Sequence, residues 1–137
     1  MTLLEELAQL TEDLGLGSFP GSIFLTRMPP SPDTCIVLAR YGGSESSLSD
    51  DYDEPRIQVR VRGPAADVRT AEVLAERVYD ALHGLGSRTL ASGTWLQLAV
   101  GIQSGPVFIG QDSSGRPEFV INVRCEVSRT STNRSST

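Results

Sequence analysis

The sequence predicts an α+β domain: a mostly antiparallel sheet of about five strands with two helices packed on one face, in the order α-β-β-β-α-β-β. Three observations carry this reading. Two stretches repeat apolar residues at helical spacing, and a glycine follows each. Several others alternate apolar and polar residues at period 2, the mark of half-buried strands. With 137 residues, of which 39% are hydrophobic, the chain can build one core but not two.

The first helix opens on Thr2-Leu3-Leu4-Glu5, a capping box with Thr2 at the N-cap and Glu5 at N3. Leu3, Leu7, Leu10 and Leu14 form its apolar stripe, and Gly15 ends it. A short strand is expected at 22–27, broken by the proline-rich Met28-Pro29-Pro30-Ser31-Pro32. A second is expected at 35–41. A polar loop then runs from Gly42 to Pro55 and carries Asp50-Asp51-Tyr52-Asp53-Glu54. Residues 56–62 alternate cleanly, with Ile57, Val59 and Val61 on one side and Arg56, Gln58, Arg60 and Arg62 on the other.

Gly63-Pro64 turns the chain into the second helix, which runs to about His83. Its expected core stripe is Val68, Ala71, Leu74, Ala75, Val78 and Leu82. Residues 94–103 alternate again, with Leu96, Leu98, Val100 and Ile102 expected inward. After Gly105-Pro106 the strand resumes at Val107-Phe108-Ile109. Asp112-Ser113-Ser114-Gly115 reads as a turn into a last strand at 118–127, an antiparallel hairpin. The domain thus spans residues 1–129. Residues 130–137, rich in Ser and Thr and without an apolar side chain, read as a flexible, disordered tail.

Several function classes are disfavoured. No apolar run approaches the roughly 20 residues that span a bilayer, and Met1–Glu6 has no basic n-region of a signal peptide. Catalytic, cofactor-binding and metal residues are all assigned as none. His83 stands alone at a helix end, and Cys35 and Cys125 sit in apolar runs that read as buried free thiols. The two Gly-x-Gly stretches at 15–17 and 84–86 follow helices, whereas a dinucleotide fingerprint needs a strand before it and a helix after. The acidic run fails a calcium-loop pattern at Pro55.

Charge is the most informative bulk feature. Every one of the 12 basic residues is Arg, against 17 acids, a net −5. Residues 1–55 hold 10 acids and 2 Arg (net −8), and residues 56–137 hold 7 acids and 10 Arg (net +3). A net-acidic chain is a poor general nucleic-acid binder, but its two unlike parts could meet between copies. The expected interface pairs the acidic loop (Asp50, Asp51, Asp53, Glu54) with an arginine face (Arg56, Arg60, Arg62, Arg124). The hairpin tip, with Gln111, Asp112 and Arg116, is a further docking element.

Several short stretches, in their order and spacing, resemble the tail terminator (minor capsid, tail completion) proteins of long-tailed bacteriophages. They are Met28-Pro29-Pro30-Ser31-Pro32-Asp33, Tyr41-Gly42-Gly43 and Pro55 to Gly63. Tyr79 to Leu85, Gly105 to Asp112, Gly115 to Phe119, and Asn122-Val123 continue the likeness. It covers residues 3–129. One departure is Gln111-Asp112, where such proteins often carry Asp-Glu before the Gly-Arg turn. The resemblance implies a homo-oligomeric, hexameric ring on the head-proximal end of the tail tube, in the virion, assembled in the host bacterial cytoplasm. It implies tail tube protein and head-tail connector protein as partners, an end to tube polymerisation, and DNA passing through the pore without sequence-specific binding. The residues leave other readings open: a connector or head-completion ring, the equivalent ring of a bacterial injection apparatus, or a small α+β ligand-binding domain or enzyme.

Overall fold

The computed structural model describes residues 1–134. Helix α1 is Leu3–Asp13, followed by β1 (Ile23–Leu25), β2 (Cys35–Gly43), β3 (Tyr52–Asp53) and β4 (Pro55–Arg62). Helix α2 is Val68–Leu82, and β5 (Gly86–Thr89), β6 (Trp95–Gly101), β7 (Val107–Gln111) and β8 (Pro117–Ser128) complete the chain. The α+β class and the two helices are as the sequence predicts. Among the described residues the strands number eight because β3 and β5 carry no period-2 signal, and because residues 94–109 divide into two strands.

The sheet runs β1-β2-β4-β8-β6-β5. Among the described residues only β1 and β2 are parallel. β8 is the spine: β4 pairs along one edge, while β7 and β6 pair with successive halves of the strand, at 117–120 and 123–128. Register places Ile36, Val61 and Phe119 side by side, then Leu38, Val59 and Ile121, then Ile57 and Val123. These residues are buried in one core with Leu3, Leu7 and Leu10 of α1 and Ala71, Ala75, Val78 and Leu82 of α2. Both helices therefore cover the same sheet face.

Local chemistry fixes the helices. Thr2 Oγ1 accepts from Glu5 N–H at 3.1 Å while Glu5 Oε1 accepts from Thr2 N–H at 2.7 Å, closing the capping box. Leu14 caps the C-terminus, and Gly15 follows at φ +80°. Asp67 caps α2, accepting from Thr70 N–H at 3.1 Å. Val68, expected in the core stripe, is 49% exposed instead. The stripe begins at Ala71, which packs on Gly63; a Cβ at Gly63 would lie 2.7 Å from Ala71 Cβ.

A second correction concerns β6. Its pairing with β8 shifts between Leu96 and Leu98. A bulge moves each later side chain to the other face. Ala99 is therefore in the core, Gly101 lies beneath the Tyr79 ring, and Ile102 is exposed. Residues 130–134 form neither helix nor strand, and Arg134 folds back on Asp53. The part of the expected tail at 135–137 lies outside the described residues.

Candidate assembly surfaces

The sheet face away from the helices carries the arginines. Arg56 and Arg124 are direct cross-strand partners, as are Arg62 and Glu118. Arg60 sits beside Glu118 and donates to it at 2.5 Å. Arg124 donates to Glu126 Oε2 at 2.5 Å, with Glu54 at 4.0 Å. The bond to Glu126 raises the Arg124 pKa, and the two carboxylates offset its like-charge neighbour Arg56.

Arg62 is a correction to the expected interface. Its side chain is buried at 2% exposure. Nε donates to the Asp33 carbonyl at 2.9 Å and Nη2 to the Pro32 carbonyl at 2.7 Å. A guanidinium enclosed by its own chain cannot meet another copy. The sequence offers no warning, because alternation places Arg62 on the same face as the half-exposed Arg56 and Arg60.

The acidic loop is also engaged within the subunit. Asp53 accepts from Arg134 through both oxygens, at 2.8 and 3.0 Å. That hydrogen bonding holds the Asp53 carboxyl below its ordinary pKa. Asp50 accepts from Tyr52 N–H at 3.1 Å. Among the described residues, Asp51 and Arg56 have no ion-pair partner.

At the hairpin tip Asp112 accepts from Ser114 N–H and Arg116 N–H at 2.9 and 3.0 Å. Arg116 Nε donates to Asp112 at 2.8 Å, and its Nη1 reaches the Pro30 carbonyl at 2.6 Å and Asp33 at 3.1 Å. Arg62 and Arg116 thus hold the proline-rich 30–33 segment from two sides. Gln111 is exposed.

Open apolar surface and open backbone lie elsewhere. Among the described residues β7 pairs only with β8, and Val107, Phe108 and Ile109 on it are each about half exposed. At the far end of the sheet, β1 pairs only with β2 among the described residues. A family model described as bacteriophage tail terminator protein matches residues 11–129.

The chain belongs to the bacteriophage tail terminator family. The match takes in every strand of the terminator. It makes the protein a structural component of a phage tail. No curated protein matches the chain. The terminator's two thiols, Cys35 and Cys125, are free and buried. Desolvation pushes Cys125 up to about 12, so it is an unreactive core residue at neutral pH. His83 accepts from Gly101 N–H through Nδ1 at 3.0 Å and stacks on Tyr79, linking the end of α2 to β6.

Sequence reasoning missed the open β7 edge. Val107-Phe108-Ile109 has the composition of an interior strand, and nothing local marks which edge remains unpaired.

Proposed function

We propose that the terminator closes into a hexameric ring on the head-proximal end of the tail tube, halts tube growth and offers the surface on which the head-tail connector joins. DNA then passes through the pore without sequence-specific contact. The observation that carries this reading is a sheet with two unlike open edges. β1 ends it on one side; on the other, β5 is the terminal strand and β7, beside β6 on β8, leaves Val107, Phe108 and Ile109 about half exposed. One compact domain cannot encircle a duplex, so a pore needs several copies. Two unlike edges are what a heterologous, closing contact uses. An apolar edge strand left in water is otherwise a liability.

Native mass of the full chain, with and without tail tube protein, tests the ring; a hexamer is the expected species. In phage assembled without the terminator, electron microscopy should find tubes of uncontrolled length and unjoined heads. Tails of normal length joined to heads in its absence would overturn the reading.

A further inference from the structure

The arginines of the sheet face and hairpin tip are largely neutralised within the subunit. Arg60, Arg62, Arg116, Arg124 and Arg134 all pair with acids of their own chain. Among the exposed charges without an ion-pair partner in the described residues, two groups of opposite sign stand on opposite sides of the sheet.

The first is one flank of α2. Glu72, Glu76 and Asp80 repeat at i, i+4, i+8 and are exposed. Two contacts fix the direction of this stripe. Arg77 donates to the Gly15 carbonyl at 3.4 Å, so that side of α2 faces the end of α1. Tyr79 lies over Gly101 of β6, on the opposite side. The acidic stripe is on the Tyr79 side, away from α1 and toward the edge that β6 and β7 share on β8.

The second place is the opposite end of the sheet. β1 and β2 run parallel with Leu25 beside Leu38, and the ladder ends where Thr26 N–H donates to the Leu38 carbonyl at 2.8 Å. Arg27 and Arg40 follow immediately, both exposed.

We propose that neighbouring copies meet by seating the Arg27–Arg40 end of one subunit against the α2 acidic flank and β7 edge of the next. Three carboxylates face two guanidinium groups, and Val107, Phe108 and Ile109 supply the apolar centre beside them. The contact joins different patches, so each copy can add another on either side until the ring closes. Desolvated charge at the seam fixes register, and like charge placed there opposes docking. This contact rests on the ring proposed for the terminator and names its residues.

The test is sedimentation velocity on the full chain over a range of concentrations, with and without tail tube protein. Two variants are compared with wild type: Glu76→Arg/Asp80→Arg and Arg27→Glu/Arg40→Glu. All four positions are exposed, so both variants should keep the wild-type circular dichroism spectrum. Each alone should associate at least about tenfold more weakly. An equimolar mixture should assemble again, because each variant then faces a complementary partner. Higher salt should weaken the wild-type assembly. Wild-type assembly by either variant alone, or a mixture that stays dissociated, overturns this contact and leaves the ring reading standing. A wild-type chain that remains monomeric under every condition removes both.

Discussion

Arg62 and Arg116 tie three separated stretches of sequence together. The carbonyls of Pro30, Pro32 and Asp33 cannot enter a ladder beside so many prolines, and two guanidinium groups from β4 and the hairpin tip take them instead. Arg62→Ala would leave two carbonyls without these donors, one of them beneath a fully enclosed side chain. We expect a loss of roughly 2–4 kcal/mol in urea unfolding, with Arg62→Lys recovering part of it. An unchanged midpoint would show the clamp to be dispensable. Glu6 is the second buried charge, at 1% exposure. Burial alone would push its pKa up. The bonds from Thr94 Oγ1 at 2.6 Å and from the N–H groups of Ser92 and Thr94 outweigh that and hold it below the usual 4.5. The unfolded chain therefore binds this proton more readily than the folded one. The stabilisation from Glu6 is complete above the usual glutamate value and declines as pH falls through the lowered folded one. Glu6→Gln should cost about 1–3 kcal/mol at neutral pH. It should also flatten the acid limb of the stability curve, which unfolding measured between about pH 3 and 7 would reveal.

At the scale of elements, α2 is positioned by two glycines. Gly63 admits Ala71, whose backbone nitrogen would be 3.0 Å from any added Cβ, and Gly101 admits the Tyr79 ring. Gly63→Ala meets backbone that has nowhere to go, so we expect about 1–3 kcal/mol of destabilisation by denaturant unfolding. Arg134 plays a similar part for the acidic loop. Arg134→Ala should return the Asp53 carboxyl toward its ordinary pKa, read by NMR titration, and speed amide exchange across 44–53. How legible these elements are depends on whether their signal is local. The capping box, the α2 stripe from Ala71 onward and the alternation of β4 are local, and the sequence predicts each. β5 is Gly-Ser-Arg-Thr, held only by its register with β6, so no period reveals it. The bulge after Leu96 is equally silent: the alternation of residues 94–103 continues smoothly while the backbone slips by one. The candidate site follows the same rule. Charge type could be counted along the chain, but Arg62 and Asp53 find their partners 29 and 81 residues away, and those pairings exist only in the fold.

For the molecule as a whole, the charge split of the sequence changes its meaning once pairs are assigned. Arg60, Arg62, Arg116, Arg124 and Arg134 of the arginine-rich remainder are neutralised inside a single subunit, by Asp33, Asp53 and Glu54 of the acidic start and by acids of their own part. Among the charges left at the surface are an acidic helix flank beside an apolar edge at one end and two arginines at the other. Stability and assembly should therefore separate at β7. Ile109 is 50% exposed and lies at the irregularity between Phe108 and Gly110, so its side chain adds little to the core. Ile109→Asp should shift folding stability by no more than about 0.5 kcal/mol. The same change places a carboxylate in the middle of the proposed apolar centre, next to an already acidic flank, where it would be desolvated without a partner. We expect the variant to melt with the wild type yet to sediment as a monomer, and to leave tails unterminated when it replaces the wild-type chain. A variant that unfolds would place Ile109 in the core. One that assembles normally would move the subunit contact away from this edge.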